Sequence, residues 1–251
     1  VAAIAVSAFP RNVKESYMPV FNAGLSLARV LSQYTTTPLH LLSHQEGHIM
    51  AGLKGNEELM LKSHFIACHF SGGTSEVLLV QRGKENVFDI DIAMAGSDLH
   101  AGQLVDRVGV VLGLPFPAGK HMEGLARENG NQELPTIPSA VKPDSFSFSG
   151  PETRAQQLVK QGVQAGAVAG AVFRVIANTL EKCLLKQAEK TGIREVLLVG
   201  GVMANSFIRQ RLRDRLEHPA VGLKLYFADP HLSTDNAVGI AMLAAYRDQN
   251  F

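Results

Sequence analysis

The start of the chain alternates between strand and helix, and that alternation leaves few folds open. Residues 1–7 are apolar and strand-like, and Pro10 leads from them into a helical stretch over 19–31 with apolar Val20, Phe21, Leu25, Leu27, Ala28 and Leu31. A threonine-rich turn follows, then a short apolar strand over 39–42 that runs straight into a helix carrying His44 and His48. Strand, helix, strand, helix implies α/β architecture with parallel pairing.

From residue 65 the pattern changes. Residues 65–70 and 76–80 flank the turn Ser71-Gly72-Gly73-Thr74-Ser75 and read as strand, glycine turn, strand, with 87–92 extending an antiparallel set. Residues 101–112 carry helical periodicity that stops at Gly113 and Pro115. The stretch 115–152, rich in Pro, Gly and Ser, reads as long loops with short strands. Helices return over 152–164 and 165–191, and Gly192 is placed to end the second. A buried strand at 195–199 opens through Gly200-Gly201 into a helix over 205–216. The strand at 225–228 is followed by a last helix over 235–246, with Ser233-Thr234 as its cap.

A chain of 251 residues with 46% hydrophobic composition is long enough to bury a substantial core and is not of disordered type. The balance of 24 basic against 23 acidic residues leaves a net charge of +1. Such a balance gives no support for attraction of the whole surface to nucleic acid or to an anionic membrane. Cys68 and Cys183, both in apolar surroundings, read as reduced, buried thiols of a cytoplasmic protein. No apolar run reaches membrane-spanning length, and no signal-peptide pattern opens the chain. Because a strand begins at once and no methionine precedes it, an upstream segment is expected.

His44 and His48, four residues apart, project from one face of a helix and can share one metal ion. Glu46 points to the opposite side, which argues against the zinc-protease arrangement His-Glu-x-x-His. Asp235, read as a helix-start residue, is the best candidate for a third, carboxylate ligand. Two histidines and one carboxylate leave coordination positions open, as catalytic zinc and non-haem iron sites require.

Two glycine-rich turns carry the remaining chemistry. Gly200 and Gly201 stand between strand and helix, where backbone N–H groups can meet an anion, and Asn205 can bond a ribose or base. The Ser71–Ser75 turn offers backbone and hydroxyls to phosphate oxygens, or is an ordinary hairpin turn. Asp106 can accept ribose hydroxyls, or pair with Arg107 on a solvated face. The segment Pro115-Phe116-Pro117-Ala118-Gly119-Lys120 can rim a nucleotide site. Arg209, Arg211, Arg213 and Arg215 alternate around their helix and read as solvated surface.

Taken in order, several of these segments resemble the TsaD family, formerly called glycoprotease or O-sialoglycoprotein endopeptidase. They are His44-Gln45-Glu46-Gly47-His48, Ser71-Gly72-Gly73, the helix from Ala101-Gly102 to Asp106, and Gly113-Leu114-Pro115-Phe116-Pro117. Phe146-Ser147-Phe148-Ser149-Gly150, Gly200-Gly201-Val202 with Ala204-Asn205, and Ser233-Thr234-Asp235-Asn236-Ala237 complete the set. The resemblance implies the two-lobed actin/hexokinase/Hsp70-like nucleotide-binding fold, with an N-terminal lobe over 1–60 that is incomplete and finished by the helix over 233–251. The second lobe would span 61–232.

It also implies transfer of a threonylcarbamoyl group from threonylcarbamoyl-AMP to N6 of adenosine 37 in tRNA. One divalent metal ion, iron or zinc, would be held by His44, His48 and Asp235. Ser71, Gly72, Gly73, Thr74, Ser75, Asp106, Gly119, Gly200, Gly201 and Asn205 would line the site of threonylcarbamoyl-AMP or an ATP-like nucleotide. Expected partners are tRNA and TsaB-like and TsaE-like proteins, with no membrane, and exposed strand edges leave a homodimer open.

This chain departs from the family pattern at Thr74-Ser75, where His and Thr are usual, and at Gln103, where an acidic residue is usual. It departs again at Ala118 and Lys120, and at Ala8-Phe9-Pro10-Arg11 in place of a Gly-Pro-Gly loop. A glycoprotease-type metallopeptidase and a non-catalytic nucleotide-binding paralogue are the competing readings.

Overall fold

The computed structural model describes residues 1–83, 86–130 and 132–250. It opens with β1 (Ile4–Phe9), α1 (Phe21–Thr35) and β2 (Leu39–Ser43), in which β1 and β2 pair in parallel from Ile4 opposite Leu39. The crossover helix α1 permits that pairing, as the alternation of the sequence requires. This small sheet leads into α2 (His44–Leu53) and the short α3 (Glu57–Met60).

A seven-stranded mixed sheet follows. β3 (His64–Phe70), β4 (Ser75–Arg82) and β5 (Phe88–Gly96) form the antiparallel set expected around the glycine turn. Then come α4 (Ala101–Val111), α5 (Gly119–Glu128), β6 (Ala140–Val141), β7 (Ser145–Ser147), α6 (Ser149–Lys160) and the long α7 (Ala165–Thr191). Gly192 ends α7 in the left-handed conformation. β8 (Glu195–Val199), α8 (Ser206–Leu216), β9 (Lys224–Phe227) and α9 (Val238–Asn250) complete the chain, and the strand order is β6-β7-β5-β4-β3-β8-β9.

Side-chain alternation divides the core between the two faces of this sheet. Ile66, Cys68 and Phe70 of β3, with Val196 and Leu198 of β8, pack under α4 and α7 through Leu104, Val108, Val172 and Ile176. Phe65 and Ala67, with Leu197 and Val199, turn to the opposite face and meet Ile49, Met50 and Leu53 of α2 and Ile240 and Leu243 of α9. α2 therefore lies directly on the large sheet. Its contact with α9 is close enough that a Cβ on Gly239 would stand 2.0 Å from the Gly47 carbonyl oxygen, so only glycine fits there. Both cysteines are buried and free, and burial pushes the Cys183 thiol up to about 12. Among the described residues no helix is long and apolar enough to cross a membrane.

Three expectations are corrected. The loop region after Pro115 contains the ten-residue α5, which buries Met122 and Ala126 one turn apart. Asp235 does not begin the last helix: α9 starts at Val238, and Asp235 lies in a bend after a 3-10 turn at Pro230–Leu232. The cap is Asn236, whose Oδ1 accepts the Gly239 N–H at 3.0 Å, in place of Ser233-Thr234.

Candidate metal centre and nucleotide cleft

β2 passes into α2 with no intervening loop, and Ser43 at the junction caps the helix by accepting the Glu46 N–H at 3.2 Å. The Gln45 N–H donates to the Pro10 carbonyl at 3.0 Å, so the first turn of α2 is anchored from two sides. One turn of this helix separates His44 from His48, and their Nε2 atoms stand 3.1 Å apart. Asp235 Oδ1 is 3.3 Å from the first and 3.2 Å from the second. The Asn236 side chain shapes the bend that brings it there, donating to the carbonyls of Leu232 (3.1 Å) and Thr234 (2.9 Å).

Donor atoms at these separations fit a common cation with bonds of about 2.1 Å. His48 is held with its charged form disfavoured, first by burial and then by the neighbouring His44, so its ring is neutral and offers a lone pair. The Nδ1 of His44 lies 3.4 Å from Ser7 Oγ, which orients that ring with Nε2 toward the other two donors. Side-chain exposure rises from 7% at His48 through 32% at His44 to 81% at Asp235, so one side of the trio faces solvent. Glu46 is buried and turned away: its carboxylate accepts the Ser43 hydroxyl at 2.6 Å and a Phe88 backbone bond, and burial raises its pKa.

A cleft of about 800 Å³ lies between α4, α5, the 3-10 turn at Gly201–Ala204 and the Pro230–Thr234 segment. Five of the expected nucleotide residues line it: Gly72, Asp106, Gly119, Gly201 and Asn205. Ser233 and Thr234 line it too and lead into Asp235, so the histidine–carboxylate trio borders the cleft. Asp106 Oδ1 accepts the Ala118 N–H at 2.8 Å and so fixes the α4–α5 connection as a wall, while Arg107 pairs with Glu152 instead. Asn205 Oδ1 caps α8 through the Ile208 N–H at 2.9 Å.

The other expected residues do not line the cleft. Ser71 Oγ accepts the N–H groups of Gly73 and Thr74, closing the turn on itself. Ser75 is buried, its hydroxyl taking the Ala101 N–H at 2.9 Å. The Gly102 N–H donates to Ser71 O, and a Cβ on Gly102 would meet the Gly72 backbone at 2.7 Å, so the start of α4 sits hard against the turn. Gly200 ends β8 and its carbonyl accepts the Met203 N–H.

A family model described as TsaD, tRNA N6-adenosine threonylcarbamoyltransferase, matches residues 18–242. The chain belongs to the TsaD family. It is 32% identical over 231 residues to the tRNA N6-adenosine threonylcarbamoyltransferase of Symbiobacterium thermophilum, with 89% of this chain and 65% of that protein covered. The protein of the same name from Moorella thermoacetica is 33% identical over 232 residues, with 89% and 66% covered. The chain thus spans only about two thirds of the length of these relatives, 65% of the first. Among solved structures, full-length HypF in its phosphate- and nucleotide-bound form superposes with a TM-score of 0.66 at 14% identity, covering 88% of this chain and 38% of HypF. Component A of (R)-2-hydroxyglutaryl-CoA dehydratase from Acidaminococcus fermentans reaches 0.52 at 16% identity, covering 87% of this chain and 73% of that one. These likenesses establish the actin/hexokinase/Hsp70-like fold.

At several positions where this chain departs from the TsaD pattern, the residue present has a defined partner. Gln103 accepts the His100 N–H at the start of α4, and Ala118 is buried against Gly109. Arg11 forms an ion pair with Glu76, and Gln45 Nε2 donates to the other oxygen of the same carboxylate at 3.3 Å. His69, opposite Glu76 in the β3–β4 register, places its ring 4.5 Å from that of His48. Burial, then His48, His44 and Arg11, lower its pKa to about 3, so it is neutral. Neither His69 nor Glu76 was singled out from sequence, and Arg11 was noted only as part of a loop that departs from the family pattern. His69 alone left a signal, as a polar residue inside an apolar strand. The arginines of α8 lie at the surface as expected, with Arg213 and Arg215 exposed and Arg209 and Arg211 half-buried, and each has a partner: Arg209 and Arg213 lie over the Phe227 ring, Arg211 bonds Asn178, and Arg215 pairs with Glu181.

Proposed function

We propose that this site transfers a threonylcarbamoyl group from threonylcarbamoyl-AMP to N6 of adenosine 37 in tRNA. The observation that carries the reading is the convergence of His44, His48 and Asp235 at the border of a cleft walled by glycine turns and helix starts. The adenylate occupies the cleft, where backbone at Gly72, Gly119 and Gly201 comes close to the ligand and Asn205 and Asp106 offer polar atoms to it. In the transfer, the N6–carbon bond forms and the bond from that carbon to the phosphate oxygen breaks. AMP leaves with the bonding pair and N6 gives up one proton.

His44, His48 and Asp235 hold one divalent ion, iron or zinc, which when bound supplies Lewis-acid polarisation of a carbonyl or phosphoryl oxygen. The chain's own residues do the rest. Burial keeps His48 neutral and therefore ready to bind, Ser7 orients His44, and the Asn236-shaped bend delivers Asp235. The acting protein is cytoplasmic and works with TsaB-like and TsaE-like partners. Glu46 is committed to Ser43 and Phe88, which leaves a metallopeptidase reading without its general base.

The test combines the protein with threonylcarbamoyl-AMP, an unmodified tRNA transcript and the partner proteins, and analyses the nucleosides by mass. Modified adenosine is expected with the parent chain and none with His48→Ala, whose bound metal should fall from one equivalent to nearly none. Adenylate binding without any modified nucleoside would overturn the transfer reading and favour a non-catalytic paralogue.

A further inference from the structure

Four aromatic rings make a continuous row of contacts from α1 to the large sheet. Phe21, the first residue of α1, is tilted against His44 with 5.3 Å between ring centroids. His44 meets His48 edge-on at 4.5 Å, and His48 meets His69 of β3 at 4.5 Å with the planes 47° apart. The two imidazoles of the trio are the inner members of this row, and Phe21 and His69 close its ends.

The inner rings are held differently. His44 has Ser7 Oγ at 3.4 Å from its second ring nitrogen. The Nε2 of His48 faces His44 and Asp235, but its Nδ1 has no hydrogen-bond partner among the described residues. A ligand imidazole ordinarily has its direction fixed through that second nitrogen. For His48 the fixing falls to packing, and the neighbour that is not itself one of the converging donors is His69.

His69 has the rigidity to do this. It follows Phe65 and Ala67 on the α2 face of β3, and its backbone is paired on both sides, with Glu76 of β4 and Val199 of β8. A Cβ on Gly200 would stand 3.0 Å from His69 Cδ2, so the backbone of that turn backs the ring. Across the ladder the Glu76 carboxylate is bonded by Arg11 and Gln45, and the His69 side chain forms no hydrogen bond among the described residues. What it presents to His48 is the ring itself.

We propose that His69 is a positioning residue for the trio: its ring, locked on a central strand, holds His48 in the rotation that aims Nε2 at His44 and Asp235. The inference rests on the metal reading of His44, His48 and Asp235, and it assigns a residue that offers the cation no atom of its own.

The experiment titrates the protein with Co²⁺, whose ligand-field spectrum reports coordination geometry, and records the imidazole resonances of metal-free, histidine-labelled protein by NMR. His69→Leu keeps apolar bulk and removes the ring, whereas His69→Phe keeps a ring and removes its nitrogens. His69→Leu should bind Co²⁺ about tenfold more weakly than the parent, with an altered spectrum. Its His48 resonances should broaden while those of His44, tied to Ser7, stay sharp. His69→Phe should restore the affinity, the spectrum and the sharp His48 signal. Parent-like behaviour of His69→Leu would overturn the proposal, and so would an equal loss in both variants. Failure of the parent to bind Co²⁺ would instead strike the metal reading, and the His48 resonances would still decide whether His69 holds that ring.

Discussion

Helix α1 buries a single residue, Ala28, whereas α2 buries nine of its ten. Both helices adjoin β2 and both carry apolar side chains, yet α1 lies over the two-stranded sheet while α2 is wedged between α9 and the seven-stranded sheet. In α1, Leu27, Val30, Leu31 and Tyr34 face solvent. In α2 even Gln45, Glu46 and His48 are buried, and each has a polar partner. A helix that holds two imidazole nitrogens within 3.1 Å of each other needs this second environment, because side chains locked by packing keep their geometry. The site's rigidity comes from α2, and its openness from the exposed bend that carries Asp235.

The sharpest way to break this contrast is Ile49→Ala. Ile49 is 1% exposed and packs between the sheet and α9, so the loss should be roughly 2–5 kcal/mol in a denaturant titration. A loss below about 1 kcal/mol would mean that α2 is not locked in place.

Much of this contrast was hidden in the sequence, and the reasons are physical. α7 and β8 were legible to the residue, since a 27-residue apolar period ends at a left-handed glycine and a continuous apolar run marks a strand buried on both faces. α5 was missed because Pro115 and Pro117 precede it, Gly119 opens it, and its buried stripe is only Met122 and Ala126. The histidine pair was visible because it is local, but Arg11 meets Glu76 across 65 positions of sequence, and nothing at either site announces the other. Asp235 was legible as a candidate ligand although its helix was misplaced. Spacing brings candidate ligands together on one helix, whereas a bend's direction depends on the Asn236 bonds that only the fold reveals.

The next effect is a pH dependence confined to the α2 side of the sheet. His69 has a folded pKa of about 3 and an unfolded value of about 6.5, so the folded state holds the proton less tightly. Its neutral ring contributes fully above about pH 6.5, and stability falls as pH drops from there toward the folded value, by at most about 1.4 kcal/mol per unit. His48, also lowered, acts in the same direction. Denaturant titrations of metal-free protein across this range should show the slope, and His69→Gln should flatten it. An unchanged slope in that variant would assign the acid sensitivity elsewhere.

The smallest effect belongs to α1. Leu27 is 61% exposed, and replacing it by serine removes little burial and costs only a few tenths of a kcal/mol in helix propensity. Leu27→Ser should therefore shift stability by no more than about 0.5 kcal/mol, with the midpoint moving slightly and the m-value unchanged. The informative control is protein concentration. If a second copy covers this face, the midpoint of the parent will rise with concentration and Leu27→Ser will remove that dependence, because association stabilises only the folded chain. A concentration-independent midpoint with the small shift keeps α1 as an outer layer, which contributes less to holding the site than the helix one strand away.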